Sequence, residues 1–468
     1  MPRTPDAREA GHQISEPWHN LYGQLVARDR RRMFRRRRIV VLSIALVIAL
    51  VLGGGIFALT TYLNFENGVR RSQALNGGAG LDQDVNILVM GLDSRLDENG
   101  NPLSQEEYDA LHSGDSSDGG YNSNVIMVLH VPKDGSQATV ISVPRDDYVD
   151  LAGSPDGVAQ GKIKQAYGYA MDEAMTKLKA DPQGKTDSQI YQEARDDGRK
   201  AEIQTVQNFL NIKIDHFVEV TMGAFLDVAK ALAPITVCLQ EATQDTYSGA
   251  DFKAGVQQLS AQQAVAFVRQ RRDTSGSGVS LTDLDRERRQ QAFISSLLTQ
   301  LKSKNTFTDL NKVEGILNAV KDKMAVDQGL NLIDFGLKAT QLTSGHIKFV
   351  TMPIVQFGTS DTGESVNIVD KAAVQAQVAQ LLSPQPTPTQ ASSPAQNSGA
   401  QNSGAQNSGA QDSGAQNSGP QQAPAPAPAQ QDSAAQQAPA QPSPSSSGTF
   451  DAGDWSSVLQ GGGVPCVK

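Results

Sequence analysis

VNILVMGLDSR, residues 85–95, is the stretch on which the fold turns. VNILVM is a short apolar run containing β-branched residues, and GLDSR ends it with a glycine and an acid, as expected where a buried strand runs into a loop. Two further runs repeat the texture, NVIMVLHV at 124–131 and ATVISV at 138–143, and three more follow: IDHFVEV (214–220), ITVCL (235–239) and HIKFVTM (346–352). Helical patterns fill the intervals, over 163–179, 201–211, 223–232, 261–270, 285–303, 331–342 and 370–382. Strands interleaved with helices predict an α/β fold, a single three-layer α-β-α domain with a central mixed sheet. Ser260 and Gln263 have the spacing of a capping box ahead of the 261–270 helix.

Outward from this domain the composition changes on both sides. Residues 1–38 carry ten Arg against four acids, a local charge of +6 in a chain of net −9, so the remainder holds −15. Residues 39–63, IVVLSIALVIALVLGGGIFALTTYL, contain no charge, and 25 helical residues exceed the ~30 Å of a hydrocarbon core. Eight arginines lie between Arg28 and Arg38, just before that segment. The positive-inside bias then predicts an uncleaved single-pass anchor in the cell membrane, with a cytoplasmic arm and the working domain extracytoplasmic. The triplet Gly53–Gly55 would tolerate close helix contact, a weak pointer to a homodimer. Residues 64–83 read as a polar connector, and the folded domain is expected over 84–383.

Beyond it, residues 384–448 collapse to Pro, Ala, Gln, Ser and Gly, with AQNSG recurring at 395, 400, 405 and 415. Such a segment has too little apolar surface to offset the entropy of ordering and is expected to be disordered. The terminal segment 449–468 regains Trp455 and Val458, and either docks back or binds something else. Cys238 and Cys466 are the two cysteines, too few for a disulfide scaffold and without metal-ligand spacing. An oxidising exterior permits a bond between them, while the long flexible stretch before Cys466 argues for two separate thiols.

The chemistry concentrates in RQRRDTSGSGVSLTDLDRERR, residues 269–289, which holds six arginines. Arginine offers fixed, permanently charged donors that match phosphate geometry, so a cluster of it in an acidic ectodomain asks for a phosphate or pyrophosphate. The bland alternative is a solvated, salt-bridged helix end, since Asp273, Asp283, Asp285 and Glu287 share the stretch. Three segments join the cluster: Asp93 and Arg95 at the end of the first strand, Arg145 in SVPRDD (142–147), and Lys162, a substrate-side cation at the start of KIKQAYGYA. Ligands of open α/β sheets bind at such strand ends. Conventional hydrolases are disfavoured, because His112, His130, His216 and His346 stand in no HExxH or nucleophile-elbow context, and there is no GxxxxGK[ST] loop. Nucleic acid is disfavoured by compartment and by the −15 ectodomain.

The order GLDSR, SVPRD, KIxxAY, AFVRQR and DLDRERRQQ resembles the LytR-CpsA-Psr family of bacterial cell-envelope proteins, of the actinobacterial type, over roughly residues 84–300. The resemblance implies a phosphotransferase that moves a glycopolymer from a polyprenyl pyrophosphate carrier to peptidoglycan by a phosphodiester, with pyrophosphate hydrolysis as a side activity. It also implies a magnesium ion and an apolar tunnel for the polyprenyl chain. Carried over by position, the metal-binding Asp falls on Asp93, the pyrophosphate-binding arginine on Arg145, and the RxR pair on Arg269 and Arg271. The RxxRQ element falls on Arg286, Arg289 and Gln290, which on a helix would share one face. Arg95, Arg272 and Arg288 are left as surface or supporting charges.

The chain departs from the family pattern at three places. NSNV (122–125) puts Asn122 where an arginine is usual and Asn124 where a second metal-binding Asp is usual, so Asn124 is expected to be a weak ligand. Asp115 or Asp118 could take its place. Lys164 replaces an Asn, and a charged insert between Met171 and Lys200 is expected to form a lid or a partner surface. The rival readings are a non-catalytic binder of the same lipid-linked polymer, favoured by Asn122 and Asn124, and an envelope sensor signalling through the basic arm.

Overall fold

The computed structural model describes residues 68–75, 78, 80, 83–115, 120–303, 318–331, 347–383 and 455–468. The arm, the expected span 39–63, all but the first residue of the helix expected at 331–342 and the repeat segment 384–448 lie outside them. Among the described residues no helix is long and apolar enough to cross a membrane.

Five of the six apolar runs become the middle of an eight-stranded mixed sheet, and ITVCL (235–239) joins a separate three-stranded sheet. Its strands, in spatial order, are Arg70–Ser72, Met324–Asp327, His216–Thr221, Val85–Leu92, Ser123–Val131, Ala138–Ser142, Ile347–Thr351 and Leu459–Gln460. Val85–Leu92 pairs antiparallel with Ser123–Val131 and parallel with His216–Thr221. Successive strand residues point to opposite faces, so this strand feeds two cores at once. Val85 and Ile87 face the helices Met222–Leu232, Ala261–Arg269 and Asp283–Ser303, where Phe267 and Phe293 are buried. Leu88 and Met90 face the opposite side, among Val206, Phe209 and Val374 of Asp187–Leu210 and Lys371–Leu382. Helices therefore cover both faces of a mixed sheet, as expected.

Three boundaries differ from the sequence reading. Arg70–Ser72, inside the expected connector, is the edge strand beside Met324–Asp327. Its charged side chains hid a strand that needs little apolar surface at an edge. The insert after Met171 is no free flap: it completes the helix Gln165–Ala180 and starts Asp187–Leu210, whose Thr186–Gln189 capping box is formed. Arg195 and Arg199 from that second helix are fully buried among Glu98, Glu219 and Asp196. The third difference is at the C-terminus. Cys466–Val467 pairs parallel with Ile235–Leu239, and Cys238 and Cys466 form a disulfide across that pairing, 228 residues apart. The pairing that the sequence left open is made, because the terminal segment returns as two short strands and brings Cys466 with it.

Candidate functional site

The strand Val85–Leu92 ends in a bulge between Gly91 and Leu92. A Cβ on Gly91 would lie 2.8 Å from the Val125 side chain, so only glycine lets the neighbouring strand approach there. The chain then turns, and Asp93 follows with its side chain partly exposed and its Oδ1 accepting from Arg95 Nη1 at 3.1 Å. Arg145 leaves the sheet after Ala138–Ser142, where Pro144 stiffens the exit. The arginine-rich run splits between two helices: Arg269 is the last residue of Ala261–Arg269, capped by the expected Ser260–Gln263 box, and Arg286 sits in the first turn of Asp283–Ser303.

These side chains converge on one cavity of about 530 Å³ between the sheet and the three helices of the Phe267 side. Its wall is divided. Val125, Met127, Phe225, Val265, Val268 and Leu297 give it apolar lining, whereas Asp93, Asn124, Arg145, Arg269, Arg271 and Arg286 line it close enough to one another for their charges to interact. Gln290 lines it as well. Ligand pockets of this volume and mixed lining are the usual kind for small molecules and lipids.

The cationic cluster is partly pre-neutralised. Arg145 donates from Nε and Nη2 to Asp283 at 3.1 and 2.9 Å, and from Nη1 to Asn124 Oδ1 at 2.5 Å. Arg286 Nη2 donates to Asp283 Oδ2 at 2.9 Å and to the Asn124 carbonyl at 3.3 Å. Arg269 Nη1 donates to the Leu111 and His112 carbonyls. Burial pushes the Arg286 guanidinium down to about 10 against the opposing pull of Asp283, and burial likewise lowers Arg269. The Asp283 carboxyl, which desolvation would raise, is held below its usual range by Arg286 and Arg145. Two buried polar atoms on cavity residues, Arg286 Nε and Gln290 Oε1, have no hydrogen-bond partner. A buried donor without an acceptor is costly unless a ligand supplies one.

Two expected site residues lie elsewhere. Arg289 is wholly buried on the far side of its helix, donating to Lys468 O at 2.8 Å, Gln270 Oε1 at 2.5 Å and Thr243 Oγ1 at 3.2 Å. Residues three and four positions along a helix step to opposite sides of the starting residue, and the cavity takes the side of Arg286, Gln290 and Leu297. Lys162 ends a short strand paired with Tyr148–Asp150 and is tied to Glu364 at 3.3 Å, outside the cavity lining. Asp115 does not line the cavity either, and Asp118 lies outside the described residues.

Conversely, Arg95 and Arg272, set aside on sequence grounds, do line it. Arg95 is buried, with Nε donating to Ser113 O at 2.5 Å, and its proximity to Asp93 in sequence was the available signal. Asp283 was visible only as one of four neutralising acids. Among the described residues no three His, Cys, Asp or Glu groups are placed to hold a metal ion. The Asn124 oxygen is already engaged by Arg145; of the two carboxylates that line the cavity, Asp245 has both oxygens accepting from Tyr247 N and Ser248 Oγ, and Asp93 pairs with Arg95.

The LytR_cpsA_psr family model matches residues 64–382. The cell wall biosynthesis protein LcpA of Corynebacterium glutamicum is 35% identical over 347 residues, covering 72% of this chain and 64% of that protein. The polyisoprenyl-teichoic acid–peptidoglycan teichoic acid transferase TagU of Bacillus anthracis is 25% identical over 306 residues, covering 63% of this chain and 81% of its own. This chain thus spans somewhat under two thirds of the length of LcpA. Among solved structures, protein gbs0355 from Streptococcus agalactiae aligns with a TM-score of 0.46 at 20% identity, covering 65% of this chain and 90% of that one.

Proposed function

The chain belongs to the LytR-CpsA-Psr family, and from that premise we propose that it is a membrane-anchored phosphotransferase of the cell envelope. Its donor would be a glycopolymer on a polyprenyl pyrophosphate and its acceptor peptidoglycan. The observation that carries the reading is the divided cavity, with apolar lining and a group of interacting arginines. An amphiphile with a doubly charged head and a hydrocarbon tail matches both. The unpartnered Arg286 Nε and the Arg271 side chain, which is exposed at the cavity, are donors awaiting such a head group.

Phosphoryl transfer asks a protein mainly to align the reactants and to neutralise developing charge. Arg145, Arg269, Arg271 and Arg286 would hold the pyrophosphate oxygens. An acceptor sugar hydroxyl would attack the polymer-side phosphorus, the bond to the bridging oxygen would break, and polyprenyl phosphate would leave with that electron pair, the hydroxyl proton passing to the departing phosphate or to solvent. Asp93 and one or two phosphate oxygens make a donor set that suits magnesium, which is commonly held by one or two carboxylates plus substrate phosphates. The ion would supply charge neutralisation. Asn124, bonded to Arg145, is better suited to orienting that arginine than to ligating metal.

Purified full-length chain in detergent, given a lipid-linked donor and uncrosslinked glycan, tests the reading. Arg271→Ala is expected to lower transfer at least a hundredfold with an unchanged melting curve, since Arg271 is exposed. Transfer unaffected by that substitution would sink the proposal. Tight donor binding by the wild type without release of polyprenyl phosphate would favour the non-catalytic binder, to which the Asn124 substitution lends some support.

A further inference from the structure

Resting on the transferase reading, the geometry points to an acceptor subsite at the cavity rim, where Tyr247 is a platform for a pyranose ring of the glycan acceptor and Arg272 braces it from the opposite face. A single exposed tyrosine means little by itself. Three features distinguish this one. First, it is 66% exposed and yet lines the cavity, so it stands at the opening, near Arg269 and Arg271. Second, the Arg272 guanidinium lies over one face of the ring, 4.3 Å from its centroid, which fixes the ring and leaves the opposite face to solvent.

Third, the turn that carries it is held from several sides. Tyr247 N donates to Asp245 Oδ1 at 3.0 Å, and Ser248 Oγ to Asp245 Oδ2 at 2.9 Å. Gln244 N donates to Asp273 Oδ1 at 2.7 Å, and Thr274 N returns to Gln244 O at 2.8 Å. Gly249, with φ +74°, passes so close to His112 that a Cβ there would lie 2.8 Å from its ring. The His112 carbonyl in turn accepts from Arg269. The platform and the head-group arginines therefore share one scaffold, and the ring is pre-positioned rather than mobile.

The donor's tail and head fill the cavity, so the attacking hydroxyl has to enter past the rim. Sugar rings present an apolar C–H face that stacks on an aromatic face, and the face of Tyr247 turned away from Arg272 offers that surface.

Steady-state transfer with the full-length chain separates the two substrates. Tyr247→Ala is expected to raise the KM for a soluble, uncrosslinked glycan oligomer about tenfold, as loss of one stacked ring would, while the donor KM and the donor's hydrolysis to polyprenyl phosphate stay within about twofold. Tyr247→Trp is expected to restore the acceptor KM. An unchanged acceptor KM in Tyr247→Ala overturns the subsite, and so does a parallel rise in donor KM, which would assign the ring to the donor. If the wild type transfers nothing, the transferase reading fails, and calorimetry with the glycan oligomer alone then decides the subsite: weaker binding by Tyr247→Ala supports it, equal binding overturns it.

Discussion

Arg145 and Asp283, 138 residues apart in sequence, meet in a two-point ion pair, Nε to Oδ2 at 3.1 Å and Nη2 to Oδ1 at 2.9 Å. The same carboxylate accepts from Arg286 at 2.9 Å. Asp283 thus occupies the donors of two cavity arginines, and any anionic head group has to compete with it.

Replacing Asp283 by Asn is expected to tighten binding of inorganic pyrophosphate by about tenfold, roughly 1.4 kcal/mol, in calorimetry. Weaker binding would show that the carboxylate positions the arginines rather than competing for the ligand. The substitution has an acid-side signature as well. A carboxyl whose folded pKa is depressed stabilises the fold above its unfolded value near 4, and that stability is lost as pH falls through the folded value. The drop in melting temperature between pH 5 and pH 2 is therefore expected to be smaller in Asp283→Asn than in the wild type.

Glu287, next to Arg286, behaves in the opposite sense. Burial and then Asp283 push its carboxyl up to about 8, and its Oε2 has no partner. A group with a raised carboxyl pKa holds its proton longer when folded, so it costs stability as pH rises from about 4 to about 8. Glu287→Gln is expected to raise the melting temperature at pH 8, with the gain shrinking towards zero near pH 4. An equal gain at both values would rule out titration as the cause.

Cys466→Ser opens a disulfide that spans 228 residues. Loss of that link is expected to cost about 2–4 kcal/mol in urea unfolding. It also loosens a strap that partners two arginines, since Arg288 binds Ser457 and Arg289 binds Lys468. Reductant added to the wild type is expected to reproduce the shift. Identical midpoints with and without reductant would remove the disulfide from the stability account.

Arg199→Met leaves Glu98 and Glu219 buried with only part of their countercharge, because Arg199 Nη2 contacts both at 2.8 Å. Breaking a buried ion cluster by removing one member typically costs about 3–5 kcal/mol. Urea unfolding checks this, and a cost below about 1 kcal/mol would mean that water enters and solvates the acids.

The cavity makes a prediction about chain length. Leu297→Trp, about three helical turns beyond Arg286 on Asp283–Ser303, would fill apolar volume away from the arginines. It is expected to raise the KM for a long-chain donor about tenfold and to leave pyrophosphate affinity unchanged. Equal effects on both ligands would show that the interior does not hold the tail.

The parts of the fold that could be read directly are those set by short-range periodicity. Alternation in Val85–Leu92 commits Ile87 and Leu88 to opposite faces wherever the strand lies. The capping box at Ser260 and Gln263 fixes a helix start for the same local reason. Arg70–Ser72 escaped because an edge strand needs no apolar alternation, and the front half of Asp187–Leu210 because its polar texture conceals two fully buried arginines.

By itself the sequence determined the sheet's central strands, the helices on its two faces and the concentration of arginine that points to an anionic partner. Tertiary structure decided which arginines reach the cavity. Arg286 and Arg289 are neighbours about 60° apart on a helical wheel, and the placement of the C-terminal strap, with Lys468 O on one side and the cavity on the other, turns that step into two different environments. It likewise paired Cys238 with Cys466, tied Lys162 to Glu364 and brought Asp283 onto Arg145. Local patterning sets which face a side chain takes, within a few residues. The partner it meets there depends on segments 138 to 228 residues away, as for Arg145 with Asp283 and Cys238 with Cys466.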